Sequence, residues 1–412
     1  MDKQIYVYAG WFEDEPKLIG TLFSYVTRGR ESFSFEYSDE WLSSETNGVI
    51  YDADIQPFAG KQYQPDDKPI FGMFADSCPD RWGRVLMQRR EAIYASEEGR
   101  IPAKLTESDY LLGVYDEARM GGLRFSTEEN GPFLSVDDRL STPPWIELRK
   151  LEAAAGRIES NENPLEKKWL DQMIAPGSSL GGARPKATVC DEKGMLWIAK
   201  FPSKHDEYDV GAWEMVTHDL ATLCGIDVPE AKLEHFSKNA GTFLVKRFDR
   251  TESGRVHFAS AMTMLGKTDM DDNSGYLDIA AFLRAHSADA SSDLNELWKR
   301  MVFNMAVSNS DDHLRNHGFV LTKKGWRLSP AYDVNPIPYG NNLSLQIVPG
   351  DTRIDRDLAI SSAHYYGIDK NAAERKLDET ICVIHDNWKR LADKYGLGRP
   401  AIEYMKPAFE KL

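Results

Sequence analysis

The apolar residues of this chain are spaced differently at its two ends, and that difference limits the folds open to it. Through the first hundred residues they fall in short β-rich runs, IYVYAG, LIGTLFSY and ESFSFEYS, broken by the polar turns EDEPK and TRGR. After about residue 255 they recur at helical spacing: Leu297, Met301 and Met305 form one stripe, and Ile381, Ile384, Trp388, Leu391 and Tyr395 another. Strands first and helices later make an α+β chain, with a ligand cleft expected between a β-rich lobe and a helical one.

Between these ends the local signals alternate. PIFGMFADSCPDRWGRVLMQRREAIYA reads as a turn leading into a helix with a basic end, and YLLGVYDEARMGGLRFS as a small strand region. A polar, proline-bearing stretch marks a boundary or long loop near residues 126–144, and WIELRKLEAAAGRIES is helical. KATVC-DEKG-MLWIAKFPS predicts a hairpin. GAWEMVTHDLATLC predicts an amphipathic helix with Ala212, Val216, Leu220 and Leu223 on one face and Gly225 at its end. EAKLEHFSKNAGTFLVKRFDR reads as two strands around an Asn-Ala-Gly turn. Asp293 and Glu296 predict a capping box for the helix NELWKRMVFNMAVSN, and the Ile381–Tyr395 helix is expected to be the last, ending at Gly396. These signals divide the chain into residues 1–125, 126–255 and 256–412.

With 412 residues, 42% of them hydrophobic, the chain can bury a large core. The net charge of −15 disfavours direct, non-specific binding to nucleic acid and leaves binding through a basic partner open. No apolar run approaches the roughly 20 residues needed to cross a bilayer, and MDKQIYVYAGWFEDE turns acidic too soon for a signal peptide. Cys78, Cys190, Cys224 and Cys382 lie far apart with no C-x-x-C pair. A reduced, cytoplasmic protein with structural thiols is the expectation.

The stretch with most chemical content is SNSDDHLRNHGFVLTKKGWRLSPAYDVNP, Ser308 to Pro336. Phosphoryl transfer needs a carboxylate that orients the attacking hydroxyl, and a neutral oxygen and a second carboxylate that hold magnesium against the phosphates. In protein kinases the first two come from Asp, four residues, then Asn, and the third from an Asp beyond a short hairpin. Asp311 and Asn316 have that spacing, GFVLT-KKG-WRLSP forms the hairpin, and Asp333 follows. The competing reading is a polar turn that caps a helix. Asp312 is the fallback carboxylate. His313 and His317, four apart, lack the Glu of H-E-x-x-H and a third ligand, so loop and packing roles are favoured over zinc.

Upstream, Lys200 in LWIAKFPS lies on a strand ahead of a helix, as a phosphate-pairing lysine would, or else extends to the surface. Glu214, on the next helix, faces away from the apolar stripe, toward either solvent or the cleft, where it would pair with Lys200. PGSSLGGARPKA holds Gly177, Gly181 and Gly182, whose backbone can approach an anion, although neither G-x-x-x-x-G-K-[ST] nor G-x-G-x-x-G is present. Phosphorylation of Ser178 or Ser179 would put negative charge where ATP phosphates belong.

Taken together, SSLGGARPKA, WIAKFP, GIDVPEA, VKRFDR, NSDDHLRNHGF and LSPAYDVNP, in this order from about residue 176 to 336, resemble the HipA-type serine/threonine kinases of bacterial toxin–antitoxin systems. The early strands, PDRWGR and YLLGVYDEARMGGLRF resemble the extra N-terminal domain of the long members. The resemblance implies a β-rich N-terminal domain followed by a bilobal protein-kinase-like fold. It implies Asp311 as catalytic base, Asn316 and Asp333 as magnesium ligands, and Lys200 at the ATP phosphates. It further implies Ser179, Gly181 and Gly182 in the nucleotide-covering loop, Lys246 and Phe248 offering backbone groups to adenine, and His313 shaping the catalytic loop. Ser179 matches the family's autophosphorylated serine. Arg184-Pro185 stands where Gln-Glu is common, and Lys246 where Glu is common. The family further implies a protein substrate, aminoacyl-tRNA synthetases among known targets, and a HipB-like helix-turn-helix antitoxin through which DNA is reached. Two alternatives remain open: a small-molecule kinase on the same scaffold, and a catalytically silent co-repressor subunit.

Overall fold

Alternating apolar residues make a sheet with one buried face, and this pattern accounts for the N-terminal strands. The computed structural model describes residues 2–12, 15–44, 48–134, 142–160, 170, 182, 184–236, 240–271 and 273–412. The chain divides into two compact units, Met1–Ala199 with Arg247–Thr268, and Lys200–Lys246 with Asp269–Leu412.

In the first unit β1 (Lys3–Ala9), β2 (Lys17–Thr27), β3 (Arg30–Tyr37), β4 (Gln62–Tyr63) and β5 (Leu123–Ser126) form an antiparallel sheet in the order β4-β3-β2-β1-β5. Ile5, Val7, Leu22, Phe33 and Phe35 make its buried row, and Phe35 packs on Phe74 with ring centroids 5.6 Å apart. The β2–β3 turn places Arg28 and Gly29 at φ +52° and +78°, the left-handed pair that a two-residue hairpin needs.

Helix α1 (Arg81–Glu97) starts at Asp80, whose carboxylate accepts from the Gly83 N–H at 2.8 Å. The stretch expected to be strand from Tyr110 onward is instead helix α2 (Glu107–Leu112), then a 3-10 turn, and becomes strand only at Leu123. A capping box between Thr106 and Asp109 starts α2 and overrides the β-propensity of Tyr and Val. Helix α3 (Leu148–Glu159) buries Leu148, Leu151, Ala155 and Ile158. The expected hairpin forms as β6 (Lys186–Cys190) and β7 (Leu196–Lys200), with Asp191 N–H donating to Met195 O at 3.0 Å and Gly194 at φ +77°.

The VKRFDR stretch contributes a buried ionic knot to this unit. Asp249, fully buried, accepts from Arg247 at 2.6 Å, Arg250 at 2.8 Å and the Gly121 N–H at 2.7 Å. Burial raises its pKa, but the two guanidiniums and the backbone donor outweigh that and hold it at about 2. A carboxyl depressed in the folded state stabilises above the ordinary aspartate pKa of ~3.9 and loses that contribution as the pH falls through its folded value. Asp249→Asn is expected to cost about 3–5 kcal/mol near neutrality. In denaturant melts the gap to wild type should narrow between about pH 4 and pH 2; a gap that does not change with pH would remove the ionic account.

In the second unit helix α4 (Val210–Leu223) starts on Asp209, which accepts from the Ala212 N–H at 3.0 Å. Ala212, Val216 and Leu220 are buried as expected, but Leu223, in the last turn, is 49% exposed. Gly225 at φ +69° ends it, with Ile226 N–H donating to Ala221 O at 2.9 Å. Strands β8 (Ala231–Glu234) and β9 (Thr242–Lys246) pair antiparallel, while Asn239 of the expected turn lies outside the described residues.

Helices α5 (Tyr276–His286) and α6 (Ala290–Ala306) follow, and the expected cap at Asp293 is wrong. The cap is Asp289, accepting from the Ser292 N–H at 3.2 Å. Asp293 instead receives Arg327 at 2.9 Å and the Leu328 N–H at 3.0 Å. Those contacts anchor the hairpin of β10 (Gly318–Thr322) and β11 (Gly325–Leu328), whose turn has Gly325 at φ +125°. Helix α7 (Lys370–Lys394) buries Ile384, Trp388 and Leu391 and ends before Gly396 at φ +78°, but α8 (Arg399–Met405) follows, so it is not the last. The core gathers Trp213, Leu220, Phe303, Trp388 and Phe409, with Trp388 stacked on Phe409 at 4.8 Å. Among the described residues no helix is long and apolar enough to cross a membrane.

Candidate active site

The loop that carries Asp311, Asn316 and Asp333 lies within the second unit and begins where α6 ends. Ser308, fully buried, takes φ +52° and donates from its hydroxyl to Ala408 O at 2.9 Å. The chain therefore leaves the helix at a pinned angle, with Asn309 N–H bonded to Asn304 O at 2.8 Å. Asp311 comes next, at the surface of the loop. Local withdrawal of water raises its carboxyl pKa, the charges of Asp333 and Asp312 raise it further, and His313 opposes them.

A 3-10 turn at Leu314–Asn316 brings Asn316 back beneath Asp311. Its Nδ2 donates to Asp311 O at 3.2 Å, and its Oδ1 is buried with no hydrogen-bond partner in the protein. The hairpin then delivers Asp333, which is tied down from two sides. The Tyr332 hydroxyl donates to Arg315 O at 2.8 Å, and Thr217 of α4 donates to Val334 O at 2.6 Å. Asp333 itself takes φ +58°, a left-handed conformation that Asp tolerates better than most residues and that is frequent at functional sites.

Lys200, the last residue of β7, reaches this group. Its Nζ lies 2.5 Å from Glu214 Oε1 and 2.5 Å from Asp333 Oδ1. Burial pulls its pKa down, but the two carboxylates outweigh that and hold the amine well above its usual value. Glu214 is 4% exposed, so of the two directions open to it the structure takes the inward one.

Asp312 is not a second surface carboxylate. It is 2% exposed, accepts from the Tyr276 hydroxyl, and lies 2.8 Å from His317 Nε2. Asn304 Nδ2 donates to the Tyr276 oxygen at 3.1 Å, and Asn309 Nδ2 to Asn304 Oδ1 at 3.2 Å. Spacing within the loop could not reveal this network, because Tyr276 and Asn304 come from α5 and α6. His317 is thereby committed to Asp312. Among the described residues no group of three His, Cys, Asp or Glu side chains is arranged for a metal ion. Asp333 and Asn316 each carry an oxygen of the hard donor type that would suit magnesium if phosphates and water completed its shell.

Lys246 ends β9 in the second unit; its N–H donates to Glu230 O at 2.8 Å, and its Nζ lies 3.8 Å from Glu230 Oε2. Phe248 belongs to the first unit, where it packs against Phe258 at 5.8 Å. Gly182, also in the first unit, is exposed at φ +97°. Ser178, Ser179 and Gly181 lie outside the described residues.

Residues 178–388 match the family model of the HipA-like C-terminal domain. A Haemophilus influenzae protein named "Putative kinase" is 30% identical over 57% of this chain and 80% of its own. "Putative kinase Y4mE" of Sinorhizobium fredii is 27% identical over 93% of this chain and 86% of its own. "Putative kinase Y4dM" of the same organism is 32% identical, but the match spans only 39% of its length. A solved Shewanella oneidensis complex of HipA, HipB and operator DNA superposes with a TM-score of 0.67 over 98% of this chain and 95% of its counterpart, at 17% identity. That likeness supports the α+β, HipA-type fold.

Proposed function

The chain belongs to the HipA-like C-terminal domain family, and from that premise we propose that it is an ATP- and magnesium-dependent serine/threonine protein kinase of a toxin–antitoxin pair. The observation that carries this reading is Lys200 held between Glu214 and Asp333, in the unit that also holds Asp311 and Asn316. A lysine fixed by a helix glutamate is the phosphate-pairing element of kinase chemistry.

Each residue has a role in this reading. Lys200 exchanges Asp333 for the nucleotide phosphates, while Glu214 keeps its ammonium aimed. Asp333 and Asn316 supply the oxygens that hold magnesium, which neutralises charge on the phosphates when bound. Asp311 orients the acceptor hydroxyl and takes its proton, and its raised pKa is that of a better base than an ordinary aspartate. His313 shapes the loop. Lys246 and Phe248 offer backbone groups to adenine; the Lys246 N–H is already bonded to Glu230 O. Ser179, with Ser178 as its neighbour, is the loop autophosphorylation site, beside Gly181 and Gly182. A protein hydroxyl is the acceptor. A HipB-like antitoxin is the partner, through which DNA is reached; the composition of the Shewanella complex supports it. The three-part division at residues 125 and 255 is retained as a proposal about folding modules.

The test is labelled ATP with the full chain and lysate fractions. Transfer of the γ-phosphate to protein, with mass spectrometry finding phosphate on Ser179, is expected. Transfer only to small metabolites would replace the protein substrate, and phosphate on Ser178 alone would move the modification by one residue.

A further inference from the structure

Behind the catalytic loop, within the second unit, lies a cavity of about 10 Å3 lined by Arg300, Asn304, Asp312, Asn316, His317 and Tyr332 together with apolar side chains. That is room for a single water. Two of its lining residues carry acceptors that the protein leaves unused. Asn316 Oδ1 and His317 Nδ1 are both buried without a hydrogen-bond partner, in side chains of residues 6% and 3% exposed. Their roles as acceptors follow from their other contacts. Asn316 Nδ2 donates to Asp311 O, which fixes the amide orientation. His317 Nε2 faces the Asp312 carboxylate at 2.8 Å, so it carries the proton and Nδ1 presents a lone pair. Two buried acceptors cannot satisfy one another, and a group with two hydrogens that reached both would satisfy both.

We propose that this cavity binds one water, which donates one hydrogen to Asn316 Oδ1 and the other to His317 Nδ1, making His317 a positioning residue for Asn316. An amide oxygen has two lone pairs. The water would take one and hold the side chain in place, leaving the other available to a divalent cation. Arg300, whose Nε is bonded to Glu296 at 3.0 Å, adds a guanidinium to the same wall. Asp312 completes the relay by fixing the imidazole, itself held through Tyr276 and Asn304. Outer partners of this kind orient metal ligands, and their loss lowers metal affinity by about 10–100-fold.

The inference rests on Asn316 being a metal ligand, and the test separates the two. In a high-resolution crystal structure of the full chain, one density peak is expected within hydrogen-bond distance of both Asn316 Oδ1 and His317 Nδ1. No peak there, or one touching neither atom, overturns the proposal. In solution, Mn2+ binding with an ATP analogue is followed by electron paramagnetic resonance. His317→Phe is expected to weaken Mn2+ about 10-fold or more, with metal-free nucleotide affinity unchanged, and His317→Asn, which restores a polar atom near Nδ1, to recover most of it. Asn316→Ala weakening Mn2+ while His317→Phe does not would sink this inference alone. No effect of Asn316→Ala would instead remove the metal role on which it rests. Should His317→Phe fail to fold, the crystallographic outcome on wild type decides.

Discussion

Asp311→Asn is expected to lower phosphoryl-transfer turnover by about 10²-fold or more, the usual span for a general base. Asparagine keeps the size of the side chain but loses its negative charge and its ability to take a proton. The exposure of Asp311 means that folding should not suffer, and thermal melting should place the variant beside wild type. Nucleotide binding should also survive, since Lys200, Asn316 and Asp333 are untouched. Loss of turnover with binding intact is therefore the signature. Asp312→Asn must behave differently. Its carboxylate is buried against Tyr276 and His317, so its first effect is on stability. If Asp311→Asn retained near-wild-type turnover while Asp312→Asn abolished it without unfolding, the base would have been misassigned.

The second large effect concerns Lys200. Lys200→Met keeps the apolar stem and removes the ammonium that two carboxylates share. Glu214, 4% exposed, is then left in the interior without its cation. Removing one partner of such a pair costs about 3–5 kcal/mol, and the phosphate contact disappears with it. The double variant Lys200→Met/Glu214→Leu separates these losses. It should recover much of the stability and none of the activity. Because the Lys200 pKa is raised, the ion pair is fully formed below the unfolded lysine value and weakens only as the solution becomes strongly alkaline. The stability cost of Lys200→Met should accordingly be flat through neutral pH in denaturant melts. Recovery of activity in the double variant would remove Lys200 from the phosphate site.

The parts of the site legible in the sequence are those written locally. Asp311, Asn316, the β10–β11 hairpin and Asp333 follow one another, and turn and strand signals between them survive folding. Glu214 was half legible: its helical phase excluded the apolar stripe, but only the position of Lys200 decides between solvent and interior. What spacing could not carry is set by contacts distant in sequence. Asp312 reads as a spare carboxylate until Tyr276 is brought against it from α5. Asp293 reads as a helix cap until Arg327 claims it from β11. At Tyr110 the Thr106–Asp109 capping box starts a helix despite the β-propensity of the aromatic and β-branched residues around it. The left-handed backbone of Asp333 has no composition signal, since Asp is ordinary in most conformations.

The most direct measurement is a crystal structure of the full chain with magnesium and a non-hydrolysable ATP analogue. The account predicts one divalent ion coordinated by Asn316 Oδ1, the Asp333 carboxylate and phosphate oxygens, with Lys200 turned from Asp333 to the phosphates. An ion held by other side chains, or a nucleotide bound away from Lys200, would contradict it.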